Sequence, residues 1–245
     1  MSCSKLGLSR CPAVFFDQDN TLINMAGANQ RVISEVIELL QSKYYYKEEA
    51  EIICDKVQAK LSKECFHRYH MCITDLRTFH WEEAIQETKG SKDNRRLKCY
   101  FLWKSTHLLH LSLAEDVKAI LTELRKEVCL LFLTNADRQI KACACQSYFD
   151  AIVVGGEQKE EKPATSKFYH CCDLLGVQPG DCVMVGDTLE TDIQEGLNAR
   201  LKATVWINKS GIMPLTSPIP PYRVSFVLEL PALLQNIHCK VNLSV

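Results

Sequence analysis

Two clusters of carboxylates stand directly after apolar segments of the chain. Asp17 and Asp19 follow the run at residues 13–16, and Asp187 and Asp192 follow a second run of the same kind. Side chains two positions apart in extended backbone point the same way, so Asp17 and Asp19 can face one ligand. Oxygen donors suit a hard cation such as Mg²⁺, and clustered acids repel one another without a cation. The pattern predicts an acidic metal site, with an Asp-rich turn as the plain structural alternative.

Three further polar residues follow apolar runs. Thr134 and Asn135 come directly after residues 129–133, and Lys162 lies in the segment after residues 152–154. Taken singly, Thr134–Asn135 is typical of a turn at a strand end and Lys162 of a solvated lysine. Asp192, taken singly, is typical of an acid in the first turn of a helix, where the helix dipole favours it. Their common position after apolar runs predicts that they converge on one edge of a sheet.

These residues need strands to position them, and five short apolar runs predict such strands. None of the runs alternates with polar residues, which favours strands covered on both faces, as in a parallel sheet. The predicted strands are residues 13–16, 129–133, 152–154, 182–185 and 203–207. In a parallel α/β sheet, ligands bind beyond the carboxyl ends of the strands.

Helical patterns alternate with these runs from residue 112 onward. Leu113, Val117 and Leu121 keep the spacing of one buried helical face. Ser112 with Glu115 fits a capping box at the start of that helix. A second helix, 166–175, is predicted to end at Gly176 in the left-handed conformation. The alternation predicts an α/β fold with a doubly wound, Rossmann-like parallel sheet.

The segment between the first two strands is a long helical region. Helical periodicity recurs there without a convincing strand, and a connection of that length is not a simple crossover. We therefore predict two domains: a catalytic core formed by residues 1–23 and 110–245, and an inserted α-helical cap domain formed by residues 24–109.

Composition excludes several classes of function. The 245-residue chain has 29 basic and 30 acidic side chains, a net charge of −1, so it offers no electrostatic case for nucleic acid or a membrane surface. The apolar runs are too short to span a bilayer. The 13 cysteines are an odd number scattered through apolar segments. Cys143, Cys145, Cys171 and Cys172 lack zinc or redox spacing, so we expect reduced thiols in a cytoplasmic protein.

The motifs together resemble the haloacid-dehalogenase-like hydrolases. The resemblance rests on Asp17–Gln18–Asp19–Asn20–Thr21, Thr134–Asn135, Lys162–Pro163 and Gly186–Asp187 through Asp192, in that order. It implies a Mg²⁺-dependent phosphomonoesterase whose substrate is a small phosphorylated sugar acid.

The same resemblance implies a role for each site residue. Asp17 would be the nucleophile and Asp19 the general acid and base. Thr134, Asn135 and Lys162 would bind the phosphoryl group. The Asp17 carboxylate, the Asp19 main-chain carbonyl and the Asp187 carboxylate would bind Mg²⁺, with Asp192 orienting the metal site. A sugar acid carries a carboxylate, so its binding also implies a cationic or amide contact from the inserted domain. The candidates for this contact are Arg68, Arg77, His67, His70 and His80.

Two departures from the family pattern keep alternatives open. The segment 137–148 is about one helical turn shorter than usual. Arg200 stands where the family prefers Gly, and a positive φ there would cost about 1 kcal/mol or more. One alternative is a weakened or inactive relative that binds a phosphorylated ligand or a partner without efficient turnover. Another is a phosphosugar mutase on the same scaffold.

Overall fold

The computed structural model describes residues 13–62, 73–90, 95–134, 145–154, 165–212 and 217–241. The chain forms two compact units: a helical unit, Met25–Leu111, and an α/β unit made of the residues on either side of it. The helices and strands, in chain order, are β1 Ala13–Phe16, α1 Met25–Tyr44, α2 Glu49–Leu61, α3 Ile73–Lys89, α4 Arg96–His110, α5 Glu115–Leu124, β2 Cys129–Thr134, β3 Ala151–Val154, α6 Thr165–Leu175, β4 Cys182–Gly186, α7 Glu195–Asn198, β5 Ala203–Ile207, β6 Tyr222–Val224 and α8 Leu230–Val241.

The α/β unit is built on a parallel sheet of six strands in the order β3-β2-β1-β4-β5-β6. All five strand pairs are parallel. The order reverses between β1 and β4, which is the topological switch point at which α/β sheets bind ligands. The predicted α/β class with a doubly wound parallel sheet is confirmed.

Buried side chains cover both faces of the central strands. On one face, Phe15 stacks on Phe168 of α6, with their ring centroids 6.3 Å apart. On the other face, Phe149 packs against Phe16 and Phe132, at 6.2 and 5.0 Å between centroids. Because successive residues of a strand point to opposite faces, burial on both sides explains why the runs lack polar alternation.

The helical unit has a core of its own. Its four long helices bury one stripe of apolar side chains each, and the aromatic residues Tyr46, Trp81 and Tyr100 lie at the centre. All elements described between residues 25 and 111 are helices, as their periodicity predicts. The domain boundaries predicted above differ from the limits of this unit by one or two residues.

Three local features show where the sequence patterns succeeded and failed. Gly176 has a φ of +67° directly after α6, so the predicted left-handed helix end is confirmed. The capping box at Ser112 is wrong: α5 begins at Glu115 after Ala114, which is extended. Leu113, between Ser112 and Ala114, is buried. The sixth strand, Tyr222–Val224, was not predicted, because three residues are too short for a recognisable pattern.

The described helices and cysteines bear on membrane spans and on disulfides. Within those ranges, no helix is both long and apolar enough to cross a membrane. Seven described cysteines are free and buried, among them Cys145, Cys171 and Cys172. Cys172 and Cys182 are in contact, with their sulfur atoms 3.7 Å apart. Cys143 lies outside the described residues.

Candidate active site

The switch point brings Asp17 and Asp187 to the same edge of the sheet. Phe16 of β1 lies opposite Val185 of β4, so both strands end at the same level. The N–H of Asp17 continues the pairing, donating to the carbonyl of Val185 at 2.9 Å. Asp187 is the first residue beyond β4. Asp17 and Asp187 therefore leave neighbouring strands at the carboxyl edge of the sheet.

Three carboxylates meet at this edge. One oxygen each of Asp17, Asp187 and Asp192 lies within 4.8 Å of the other two. Asp192 is fully buried, whereas Asp17 and Asp187 are partly exposed. We call these three residues the acidic cluster. Asp192 therefore lies beside the other two acids, and its expected role in orienting the metal site stays a prediction.

Asp187 is held in place by hydrogen bonds to its carboxylate. The hydroxyl of Thr188 donates to Oδ1 of Asp187 at 3.1 Å, and Asn20 also bonds to this carboxylate. Burial, followed by the neighbouring charge of Asp192, raises the pKa of Asp187, while the bonds from Thr188 and Asn20 oppose this rise. The arrangement therefore concentrates negative charge that a cation would neutralise.

Asp192 reaches the cluster because the chain turns back tightly after β4. Residues Leu189–Gln194 form a short stretch of π-helix, and the N–H of Ile193 donates to the carbonyl of Thr188 at 3.4 Å. Such wide turns recur at functional sites. A Cβ atom on Gly186 would lie only 2.2 Å from Oδ2 of Asp192. The missing side chain of Gly186 is what leaves room for the Asp192 carboxylate.

The segment after Asp17 forms a compact loop. The N–H groups of Leu22 and Ile23 both donate to the carbonyl of Gln18, at 3.0 and 3.1 Å. Asn20 has a φ of 57°, a conformation that Asn tolerates better than most residues. Asp19 is partly buried in this loop. Its expected roles, as the acid and base and as a carbonyl ligand of Mg²⁺, stay predictions.

Only some of the remaining predicted site residues lie within the described part of the chain. Thr134 is the last residue of β2, while Asn135 and Lys162 lie outside the described residues. Of the insert candidates, Arg68, His67 and His70 also lie outside them. Arg77 lies over the ring of Trp103 at 5.7 Å from its centroid, and His80 is buried in α3.

Sequence reasoning missed the residues that support the acids. Asn20 was part of the first motif but had no assigned function, although an amide beside two acids is a usable signal for a carboxylate partner. Trp206 donates its indole N–H to the carbonyl of Asp187 at 2.8 Å. A strand tryptophan carries no local signal for such a contact, because the contact depends on the pairing of β5 with β4.

The acidic cluster fits a hard divalent cation. Its donors are oxygen atoms only, which suits Mg²⁺ or Ca²⁺ rather than softer metals. Asp192 is fully buried and two further carboxylates lie within 4.8 Å of it, so a cation would offset a concentrated negative charge. The cluster can therefore hold a metal ion, and the residues present suit that use.

The sequence places the protein in a known family. The chain belongs to the haloacid dehalogenase-like hydrolases, whose family model matches residues 11–200. Curated relatives match nearly the whole chain. The N-acylneuraminate-9-phosphatases of Rattus norvegicus and Homo sapiens are 77% and 76% identical, over 98% of this chain and 100% of each relative.

Solved structures agree with the fold. A 2-haloacid dehalogenase from Pseudomonas syringae pv. Tomato DC3000 superposes with a TM-score of 0.70 at 19% identity, covering 93% of this chain and 99% of that one. The HAD-hydrolase YfnB from Bacillus subtilis, solved with magnesium, has a TM-score of 0.67 at 19% identity, covering 92% and 99%. At such identities the likeness concerns the fold alone.

Proposed function

We propose that this chain is a Mg²⁺-dependent phosphomonoesterase that converts N-acylneuraminate 9-phosphate to the free sialic acid and inorganic phosphate. One observation carries the substrate: the identity of 76–77% over 98% of the chain to curated proteins of that name. The acidic cluster at the switch point supports the reaction class. It combines a site for a cation with a carboxylate, Asp17, that is partly exposed and able to reach a substrate.

The metal would be held by groups at the ends of β1 and β4. In this proposal the Asp17 and Asp187 carboxylates, which belong to the acidic cluster, would bind Mg²⁺ together with the Asp19 main-chain carbonyl, and Asp192 would orient the site. When bound, Mg²⁺ stabilises the negative charge on the phosphoryl oxygens as a Lewis acid.

Asp17 and Asp19 would divide the hydrolysis into two displacements. A carboxylate oxygen of Asp17 attacks phosphorus, forming an aspartyl-phosphate as the bond from phosphorus to the sugar oxygen breaks. Asp19 gives its proton to the leaving alkoxide. In the second step Asp19 takes a proton from water as the water oxygen attacks phosphorus. The bond between phosphorus and the Asp17 oxygen breaks, which releases inorganic phosphate and restores the Asp17 carboxylate. A sugar oxygen needs such an acid as it leaves, whereas a halide does not.

The phosphoryl group needs further binding residues. We propose that Thr134 and Asn135 bind the phosphoryl oxygens and that Lys162 offsets the negative charge of the phosphoryl group. Thr134 ends the strand next to β1, which supports its part of the assignment. We also propose the helical unit, Met25–Leu111, as the cap that selects the substrate.

The cytoplasm is the compartment that we propose for this enzyme. Seven described cysteines are free and buried, and none of them forms a disulfide within the described ranges. Reduced buried thiols are typical of a reducing compartment.

The direct test is release of phosphate by the purified full-length chain. N-acetylneuraminate 9-phosphate should yield free sialic acid and inorganic phosphate in equal amounts with Mg²⁺, and neither product with a chelator. Asp17→Asn keeps the size of the side chain but removes the nucleophile, so turnover should fall by about a thousandfold or more. An acid quench during turnover should trap an acyl phosphate that hydroxylamine cleaves, and Asp17→Asn should trap none.

Other outcomes would point elsewhere. A phosphorylated product with no inorganic phosphate would indicate a mutase. Binding of the phosphorylated sugar by well-folded protein, without turnover of any phosphomonoester, would favour the inactive relative and contradict the proposal. Equal rates on glucose 6-phosphate would contradict the substrate assignment while leaving the reaction class intact.

A further inference from the structure

The peptide group between Asp187 and Thr188 is hydrogen-bonded on both of its polar atoms. The indole Nε1–H of Trp206 donates to the carbonyl oxygen of Asp187 at 2.8 Å. The N–H of Thr188 donates to Oδ2 of Asp192 at 3.1 Å. Because a peptide group is planar, these two bonds together set the orientation of its plane. They restrain the backbone from which the Asp187 carboxylate extends.

The register of the sheet places Trp206 for this contact. Trp206 lies in β5 directly opposite Gly186 of β4, and Asp187 is the next residue along that strand. Only 9% of the surface of Trp206 is exposed. The indole nitrogen can donate but cannot accept a hydrogen bond, so its natural partner in this position is a carbonyl.

The other end of Asp187 is held by different residues. Thr188 and Asn20 bond to its carboxylate, whereas Trp206 bonds to its main chain. Asp192 is at once a member of the acidic cluster and the acceptor for the Thr188 N–H. Rotation of this one peptide group would therefore displace the Asp187 carboxylate and break a bond of Asp192 together.

We propose that Trp206 is a positioning residue of the metal site. Its indole N–H holds the Asp187–Thr188 peptide in the orientation in which the Asp187 carboxylate binds the cation and Asp192, which orients the site, accepts the Thr188 N–H. The inference rests on the proposed function, because the cation concerned is the Mg²⁺ of that site. An indole that only filled space beside β4 would affect stability when its N–H is removed, but not the affinity for Mg²⁺.

Trp206→Phe separates these two roles, because it keeps an aromatic ring and removes the donor. Calorimetric titration of the full chain with Mg²⁺ should show a Kd about tenfold higher than in the wild type. Turnover of the phosphorylated sugar at saturating Mg²⁺ should stay within about twofold of the wild type. High Mg²⁺ should thus restore the activity of Trp206→Phe. It would not restore the activity of a variant whose only defect was a smaller fraction of folded protein.

Thr204→Val is the matched control. Thr204 lies two residues before Trp206, on the same face of β5, and is fully buried. Within the described residues, its hydroxyl has no hydrogen-bond partner. The substitution keeps the shape of the side chain and touches the same strand, so the Kd for Mg²⁺ should not change.

A spectroscopic measurement tests the contact in the unaltered protein. The chain contains three tryptophans and therefore gives three indole N–H signals in a ¹H–¹⁵N spectrum. The signal that Trp206→Phe removes belongs to Trp206. This signal should shift during titration with Mg²⁺ and saturate with the Kd found by calorimetry. If Trp206→Phe does not fold, Trp81→Phe and Trp103→Phe assign the same signal by elimination.

The outcomes separate this inference from the proposed function. Wild-type affinity for Mg²⁺ in Trp206→Phe, or a Trp206 signal that saturating Mg²⁺ leaves in place, would overturn the positioning role while the phosphatase assignment stood. A wild-type chain that bound no Mg²⁺ at all would overturn both. A raised Kd with restored turnover, beside an unchanged Thr204→Val, supports the inference.

Discussion

Gly176 and Arg200 occupy equivalent positions at the ends of two helices. Gly176 follows α6 with a φ of +67°, and Arg200 follows α7 with a φ of 56°. The same pair of hydrogen bonds, a Schellman motif, closes both helices. These bonds run from Gly176 N–H to Asp173 O, Val177 N–H to Cys172 O, Arg200 N–H to Leu197 O and Leu201 N–H to Gly196 O. The chain therefore contains two Schellman motifs, one with the preferred glycine at Gly176 and one with a strained residue, Arg200, in the left-handed conformation.

Arg200→Gly is expected to stabilise the protein. A left-handed conformation costs a residue with a Cβ about 1–2 kcal/mol, and the greater freedom of Gly in the unfolded chain offsets about half of that gain. The free energy of unfolding should rise by about 0.5–1 kcal/mol, measured by urea denaturation.

The reverse change at the other helix end supplies the comparison. Nothing lies within 4 Å of a Cβ atom built on Gly176, so Gly176→Ala should cost about 1 kcal/mol through its backbone conformation alone. Arg200→Lys, which keeps the Cβ atom and the charge, should change nothing. A destabilised Arg200→Gly would show that the arginine side chain makes a contact that outweighs the strain.

The end of β4 is where a strand and the following turn must fit together. Gly186 ends the strand, and the π-helical turn Leu189–Gln194 brings Asp192 back over it. The two elements are so close that Cγ of Asp192 would lie 2.4 Å from a Cβ atom on Gly186. The acidic cluster thus depends on the packing of a turn onto a strand end, and not on its carboxylates alone.

Gly186→Ala should therefore disturb both stability and metal binding. The added methyl group must push aside a fully buried Asp192, so the free energy of unfolding should fall by about 1–3 kcal/mol. Calorimetry should show weaker binding of Mg²⁺. Gly180→Ala, in the turn just before β4, is the control, because nothing lies within 4 Å of its Cβ position. Equal stability of the two variants would mean that Asp192 moves aside at no cost.

The helical unit contains a titratable group that links the stability of the whole chain to pH. His107 of α4 stacks on Trp103, with 5.1 Å between ring centroids. Burial, and then the neighbouring Arg77 and His110, lower the pKa of His107 to about 4. His110 in turn contacts Glu35 at 2.8 Å. The folded protein therefore favours neutral His107.

Acid should destabilise the protein through this group. Between about pH 6.5 and 4 the unfolded chain binds a proton on His107 that the folded chain does not, so the free energy of unfolding falls as the pH falls. From pH 7 to 5 this contribution is about 2 kcal/mol. His107→Phe keeps a ring against Trp103 and should remove that loss, as measured by urea denaturation at both pH values.

A second histidine variant serves as the control for this pH effect. His170→Gln alters an exposed residue of α6 and should keep the acid sensitivity of the wild type. An unchanged pH dependence in His107→Phe would place the source of the acid sensitivity in other groups.

Much of the fold is readable from local patterns. Unbroken apolar runs predicted five of the six strands because a parallel sheet buries both faces, and acids at the ends of two runs predicted the location of the chemistry. Short or position-dependent features escaped this reasoning. Tyr222–Val224 is only three residues long, and α5 begins at Glu115 after Ala114 rather than after a cap at Ser112.

The acid residues themselves were evident from residue type and spacing, because strand ends and carboxylates leave a local trace in the sequence. The arrangement of these acids in space was not evident from the sequence. Asp192 joins Asp17 and Asp187 through a turn whose width the sequence does not specify, and Trp206 reaches the carbonyl of Asp187 only because β5 pairs with β4 in one register. Contacts between residues distant in the chain depend on packing and strand pairing, which no single segment encodes.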